Sequence, residues 1–328
     1  MTTYSNRTDL TLEAQELLVR GEPDKKDFDG IITHTRREGK LNITKVEVTN
    51  DNGAAKIGKS VGTYVTIEMG NSELKSNEDY VHARSAIATE LSALIPNIEN
   101  KTVLIIGLGN WNVTPDALGP KVVSKLAITR HILEHFPDER EKNLNPVCAI
   151  APGVLGITGI ETAEIIKGVA DRVKPDFIIA IDALASMRTE RVNKTIQLCD
   201  TGISPGSGVG NKRKELSKNT LGVPVYAIGV PTVVDAITMA NETIEAIINA
   251  LKEEVKTSEN IYSFMKDIDP QDKQELISKV FNPGDENMIV TPRGIDEAIT
   301  IMSKLIADSL NVFIHRHNYS YLQQAYLM

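Results

Sequence analysis

Short apolar runs recur through the middle of the chain and predict the strands of a sheet. Continuous runs bounded by glycine, proline or aspartate are typical of strands that are buried on both faces. The runs are residues 102–107, 146–151, 176–182, 195–200 and 223–229. Two further segments, residues 41–49 and 61–69, alternate between apolar and polar side chains, which predicts strands with one exposed face.

Apolar residues at helical spacing predict helices around and between these strands. The predicted helices are residues 78–95, a segment within 117–136, about 160–172, and 233–252. Thr232 and Asp235 fit a capping box at the start of the last helix. Strands that alternate with helices indicate an α/β fold, with a mainly parallel or mixed sheet that is covered by helices on both faces.

The N-terminal region precedes this alternation and looks like an appendage. Leu10, Leu12, Leu17 and Leu18 predict a short amphipathic helix. The sequence GEPDKKDFDG, residues 21–30, predicts a turn-rich linker between that helix and the first strand.

The C-terminal region, about residues 255–328, is predicted to be helical. Helices are expected at about 270–281 and 293–312, with a loop over residues 283–294. This region extends the main domain, because a chain of 328 residues suits one large domain with appendages.

Composition and charge narrow the possible partners and the compartment. The formal net charge of -8 argues against nonspecific binding to nucleic acid or to anionic membranes. No apolar run approaches the roughly 20 residues of a membrane span, and the polar N-terminus lacks the apolar core of a signal peptide. Cys148 and Cys199 lie in apolar runs, which predicts buried, reduced thiols. We therefore expect a cytoplasmic protein.

Two glycine-rich segments match nucleotide-binding patterns in letters only. Residues 53–60, GAAKIGKS, fit the phosphate-loop pattern, but that loop requires a helix directly after it. The alternating residues 61–69 predict a strand there instead, so a glycine-rich hairpin is favoured and nucleotide binding stays an alternative. In GLGNWN, residues 107–112, Asn112 replaces the third glycine of the dinucleotide fingerprint, which disfavours a nicotinamide enzyme.

Two aspartates at the ends of apolar runs are the candidate catalytic residues. Asp116 follows the run 102–107, and Asp182 ends the run 176–182. In an open parallel sheet ligands bind beyond the carboxyl ends of the strands. Two adjacent carboxyl groups there share a proton, so the pair can activate water and protonate a leaving amine. Either aspartate could instead cap a helix or form a turn, and Asp200 and Asp235 are rivals by position.

Metal and serine chemistry are less well supported by the sequence. His131 and His135 have the i, i+4 spacing of zinc ligands, but no glutamate follows His131 as the H-E-x-x-H motif requires. A solvated helix face explains both histidines. The chain also has no G-x-S-x-G elbow at a strand–helix turn. No metal or other cofactor is therefore predicted.

Four long segments resemble one known family. They are GLGNWNVTPDALGP (107–120), IAPGVLGITGIET (150–162), IDALASMR (181–188) and YAIGVPTVVDA (226–236). Together they resemble the germination proteases, or spore proteases, of spore-forming bacteria. The resemblance runs from RTDLTLEAQE near the N-terminus to MIVTPRGID near residue 295.

The resemblance implies an activity and a pair of catalytic residues. The family degrades small acid-soluble spore proteins at germination and is assigned as an aspartic-type endopeptidase, whose two aspartates correspond to Asp116 and Asp182. Its fold is similar to that of hydrogenase maturation proteases, which hold a metal with the corresponding acids and a histidine. The loops after the predicted strands contain no histidine here, so a metal-dependent peptidase is only an alternative.

The resemblance also implies a zymogen and an assembly. The family is made as a precursor that cuts itself, and it forms a homotetramer in the forespore and spore core. Substrates are cut at a site similar to T-E-[IF]-A-S-E, and residues 8–13, TDLTLE, are similar to that site. The expected cleavage bond is Asp9–Leu10, with residues 1–9 as propeptide and residues 10–328 as a single peptidase domain. Thr8 can also cap the first helix. Direct contact with nucleic acid is not expected.

An acidic residue before the cut requires a cationic partner. Basic residues in or near the loops that follow the predicted strands are the candidates for binding the substrate glutamate: Arg188, Arg191, Lys212, Arg213 and Lys214. Each of these side chains can equally be a solvated surface charge.

Overall fold

A nine-stranded mixed sheet organises the part of the chain that the computed structural model describes. The described residues are 8–22, 28–70, 74, 76–135, 144–206, 213–254 and 288–315. Helices cover both faces of the sheet, which confirms the predicted α/β fold class.

The sheet has a parallel half and an antiparallel half. Its strands are β1 (Ile31–Glu38), β2 (Leu41–Val48), β3 (Gly62–Glu68), β4 (Val103–Gly107), β5 (Val147–Ile150), β6 (Phe177–Ser186), β7 (Thr195–Cys199), β8 (Val225–Asp235) and β9 (Ile289–Val290). They lie in the order β1-β2-β3-β7-β8-β6-β4-β5, and β9 pairs with β8. Strands β8, β6, β4 and β5 are parallel, whereas β1, β2, β3, β7 and β9 pair antiparallel. The carboxyl ends of four neighbouring strands therefore meet at one edge.

Helices of the described residues lie before, between and after these strands. They are α1 (Thr11–Gly21), α2 (Asp51–Ile57), α3 (Asn77–Leu94), α4 (Leu118–Val123), α5 (Arg130–His135), α6 (Leu155–Thr158), α7 (Thr162–Val173), α8 (Lys218–Leu221), α9 (Ala236–Glu254) and α10 (Ile295–His315). The helix expected at about 270–281 lies outside the described residues.

Two apolar cores flank the sheet because side chains alternate along its strands. In β4, Ile105 packs in the core that contains α3, α4 and α10. Leu104 and Ile106 point to the opposite core, which contains Ile166 of α7. Strands β4 and β6 are thus buried on both faces, as their continuous apolar runs predict, whereas the edge strand β5 is only partly buried.

Helix α10 passes a length and composition test for a membrane span, but it packs as a core helix. About two thirds of its most apolar window (67%) is buried inside the protein. It contacts α3 and α4 and places Phe313 in the larger core. Burial within the protein explains its apolar character without a membrane.

The segment predicted as a glycine-rich hairpin is a helix, so that prediction is wrong. Asn50 caps α2 by accepting a hydrogen bond from the Gly53 amide at 2.8 Å, and Gly58 ends the helix with φ of +68°. Both are standard helix-end signals. The helix precedes Lys59 and Ser60, so no helix N-terminus follows these residues as a phosphate loop requires.

Other boundaries differ for identifiable reasons. The helix predicted within 117–136 is two short helices, and Asn311 accepts the Ala127 amide at 3.0 Å in the break between them. The capping box at Thr232 is wrong because β8 continues to Asp235. Asp235 itself caps α9, accepting the Thr238 amide at 2.9 Å. Strand β1 was not predicted, because it is an exposed edge strand whose residues do not alternate between apolar and polar side chains.

Candidate active site

Asp116 is held in a short 3₁₀ turn, Thr114–Asp116, beyond the end of β4. Its Oδ2 accepts a hydrogen bond from the Asn110 amide at 2.8 Å. Gly109 makes this loop possible: its φ is +112°, and a Cβ there would lie 1.9 Å from the Asp116 carbonyl oxygen. Burial raises the pKa of Asp116 to about 6, although the Asn110 amide and the charge of Arg213 oppose the increase.

Asp182 lies within β6, one residue past its last pairing with β4, and is 5% exposed. Its Oδ1 accepts the amide of Ala183 at 2.9 Å. Burial raises the pKa of Asp182 well above its ordinary value, and the negative charges of Asp116 and Asp9 raise it further. Burial and the neighbouring negative charges thus both favour the protonated form of Asp182.

The structure brings the two carboxyl groups to one cavity. A cleft of about 280 Å³ is lined by Asp116, Asp182, Asp9 and Arg213. A second cleft of about 500 Å³ shares Asp9, Asp182 and Arg213 with the first. The rival aspartates do not line these clefts: Asp200 accepts the Thr63 amide at 2.8 Å, and Asp235 caps α9.

The chain's own N-terminal segment occupies the site. The Asp9 amide donates to the Ala185 carbonyl oxygen at 2.9 Å, and Asp9 Oδ2 accepts the Ala185 amide at 2.9 Å. Ala185 is in β6, beyond the point where β4 ends. The next residue, Leu10, is fully buried. Asp9, the residue before the bond predicted for self-cleavage, therefore lines the same cleft as the acidic pair.

Glu13 anchors the residues after that bond. It is 0% exposed, and its carboxylate accepts the amides of Met187 at 2.6 Å and Arg188 at 3.1 Å. Thr8 also donates to it through its hydroxyl group. Arg191 Nη1 lies 3.3 Å from Glu13 Oε1. The acidic side chain four residues past the predicted cut is therefore enclosed by polar partners.

The predicted substrate-binding cations have different positions. Arg191 contacts Glu16 at 2.6 Å and Glu68 at 2.8 Å as well as Glu13, and none of these acids precedes the predicted cut. Arg188 contacts Glu16 at 3.3 Å. Arg213 is the candidate that lines both clefts.

One other predicted cation does not line the clefts. Lys214 forms an exposed ion pair with Glu164 at 3.3 Å. Lys212 lies outside the described residues.

His131 and His135, weighed as zinc ligands in the sequence, are exposed on α5, away from both clefts. Within the described residues, no three His, Cys, Asp or Glu side chains are grouped so that they could hold a metal ion.

Sequence reasoning missed two polar side chains in the larger cleft. Gln197 projects from β7, and Lys59 follows α2. A buried glutamine in the apolar strand TIQLC was the available signal for the first. The only sequence signal at Lys59 was the phosphate-loop pattern, which indicates nucleotide binding and not a role in peptide cleavage.

Fold and site together define an α/β protein with a buried pair of carboxyl groups at the carboxyl ends of parallel strands. A family model described as germination protease matches residues 11–267 and 256–326. A germination protease of Clostridium acetobutylicum is 49% identical over 311 residues, covering 94% of each chain. Those of Caldanaerobacter subterraneus and Bacillus cereus are 45% and 41% identical, and each alignment covers at least 93% of both chains.

The chain therefore belongs to the germination protease family, as its sequence segments predict, and it is a protease of spore germination.

Proposed function

We propose that the chain is an aspartic-type endopeptidase that is made as a zymogen, cuts itself at Asp9–Leu10 and then starts the degradation of small acid-soluble spore proteins. The main support is the electrostatic coupling of Asp116 and Asp182 in one cleft, where each carboxyl group has a raised pKa. Residues 1–9 are the propeptide, and residues 10–328 form the peptidase domain. The enzyme works as a homotetramer in the forespore and spore core, and it does not contact nucleic acid directly.

The two pKa directions assign the roles of the pair. Asp182, whose pKa is raised more strongly, carries the proton, and Asp116 is the base. Asp116 takes a proton from water as the water oxygen attacks the Asp9 carbonyl carbon. The C–N bond to Leu10 then breaks, and the Leu10 nitrogen takes the bond's electron pair and a proton from Asp182. Transfer of the proton from Asp116 to Asp182 restores the starting state.

The docked segment supports the proposed cleavage bond. Asp9 is held by Ala185 of β6, three residues beyond Asp182, and residues 8–13 are similar to the substrate site of the family. The docked segment lines both clefts that a substrate would enter. The same contacts thus explain both how the precursor is held inactive and how it presents its own bond for cutting.

Arg213 is proposed to bind the acidic side chain before the cut, because it lines both clefts together with Asp9. Arg213→Glu is expected to slow cleavage of a peptide with glutamate at that position more than one with glutamine. Lys214→Glu, at an exposed ion pair, is the matched control. Equal losses on both peptides would contradict direct recognition.

The proposed function is tested with a purified small acid-soluble spore protein as substrate. Wild type, Asp116→Asn and Asp182→Asn are compared by gel electrophoresis, with circular dichroism as the folding control. Near-complete loss of self-cleavage and of substrate cleavage is expected in both variants. Wild-type rates in either variant would refute the acidic pair. Chelation is expected to leave the rate unchanged, whereas loss that a divalent ion restores would favour a metal-dependent peptidase.

A further inference from the structure

Two side chains, one from the loop between α2 and β3 and one from β7, bind the carbonyl group of the Asp9–Leu10 peptide bond. Lys59 Nζ donates to the Asp9 carbonyl oxygen at 2.8 Å. Gln197 Nε2 donates to the same oxygen at 3.3 Å. Both lie in the larger cleft, which Asp182 also lines. The carbonyl oxygen therefore has two donors that do not belong to the acidic pair.

Gln197 also fixes the chain on the other side of the bond. Its Oε1 accepts the Thr11 amide at 2.7 Å. One amide side chain thus holds the carbonyl group before the cut and the main-chain amide one residue beyond Leu10. Gln197 is only 8% exposed and sits in β7 opposite Gly229 of β8, so its position is fixed by the sheet. A rigid support of this kind suits a group that must meet a reacting atom.

The surroundings of Lys59 explain why it points at this carbonyl. Burial lowers the pKa of its amino group, and the charges of Asp9 and Glu13 oppose that shift. The amino group also lies 3.5 Å from the Thr8 carbonyl oxygen. Carbonyl oxygens of the docked segment therefore replace the water that a buried amino group loses.

We propose that Lys59 and Gln197 are catalytic residues that stabilise the negative charge developing on the carbonyl oxygen of the bond being cut. This inference rests on the proposed function and adds a carbonyl-binding site to it. When water attacks the carbonyl carbon, the π electron pair moves to the oxygen, where the two N–H groups bind it. When the C–N bond breaks, the pair re-forms the carbonyl group. Donors placed at such an oxygen act mainly on the transition state.

The test compares first-order rates of self-cleavage in the full-length chain, followed by mass spectrometry after refolding. Lys59→Met and Gln197→Glu are the test variants, and Gln197→Glu keeps the acceptor for Thr11 while it removes the donor. Removing one such donor is expected to slow cleavage by about 100-fold or more. Lys56→Met is the matched control, because this neighbouring lysine contacts Asp29 and not the clefts, and it is expected to cut at the wild-type rate.

A purely structural role, in which the two residues only hold the segment in place, predicts a different result. Hydrogen exchange of residues 8–13 is therefore measured for each variant in the Asp116→Asn background, which keeps the chain intact. Slow cleavage with unchanged protection supports the inference. Wild-type cleavage in both variants, or loss of cleavage only in proportion to lost protection, would overturn it. The Asp116→Asn variant alone separates the two proposals. If this variant still cuts itself, the proposed function fails. If it does not cut itself but both test variants cut at the wild-type rate, only the present inference fails.

Discussion

Arg191 is expected to be the strongest single anchor of the N-terminal segment. Its side chain is 7% exposed, and its guanidinium group contacts three carboxylates, those of Glu13 at 3.3 Å, Glu16 at 2.6 Å and Glu68 at 2.8 Å. Glu13 is itself fully buried. Arg191→Met removes the cation and leaves that carboxylate enclosed without its ion-pair partner. Removing one partner of a buried ion pair is the costly way to break it.

The expected loss of unfolding free energy depends on the hydrogen bonds that Glu13 keeps in the variant. Its carboxylate keeps the amides of Met187 and Arg188 after the substitution, so the cost lies at the low end of the buried-pair range, about 3 kcal/mol. Arg188→Met is the matched control, because its side chain is 29% exposed and pairs with Glu16 at 3.3 Å. Partly exposed pairs of this kind contribute up to about 1 kcal/mol.

Urea unfolding at pH 7, followed by circular dichroism in the Asp116→Asn background, measures both free energies of unfolding. Adding Glu13→Gln to Arg191→Met removes the stranded charge and is expected to restore more than about 1 kcal/mol. A loss for Arg191→Met no larger than that for Arg188→Met would refute the reasoning. So would a double variant that is less stable than Arg191→Met alone.

Three further predictions concern the acidic pair and the loop that holds it. The self-cleavage rate should rise with pH through about 6, because Asp116 must lose its proton to act as the base. The rate should fall again at the higher pH where Asp182 loses its proton. A flat pH profile would contradict these roles. Asp9→Asn removes a negative charge that raises the pKa of Asp182, so the alkaline limb of the profile should move to lower pH, and an unmoved limb would argue against this coupling. Gly109→Ala should abolish self-cleavage, since its Cβ would lie 1.9 Å from the Asp116 carbonyl oxygen, whereas Gly159→Ala, also at positive φ but with open space around it, should cut nearly normally.

The parallel half of the fold follows from local sequence patterns, and the antiparallel half does not. Continuous apolar runs identify β4 and β6, and the rule about carboxyl ends of strands directs attention to Asp116 and Asp182. β1 is an exposed edge strand whose residues carry no apolar alternation. Helix α2 begins at the cap formed by Asn50, but the glycine-rich sequence that follows predicts a hairpin instead of a helix.

The two donors to the Asp9 carbonyl oxygen could not be predicted from the sequence for a different reason. Lys59 and Gln197 are 138 positions apart by their numbers in the chain. They meet only because β3 pairs with β7 and β7 pairs with β8, an order that no local pattern encodes. The role of Arg191 was hidden in the same way, since its partners in α1 reach it only when the N-terminal segment docks.

The hydrogen bond from the Asp9 amide to the Ala185 carbonyl oxygen has a consequence for selectivity. It requires a main-chain amide that is not already bonded within its own helix or sheet. A segment whose amides are bonded within a helix or a sheet has no such amide to offer, whereas a locally unfolded segment does. Under the proposed function, this position therefore selects for a free main-chain amide as well as for side-chain identity, which protects proteins whose matching residues lie within a helix or a sheet.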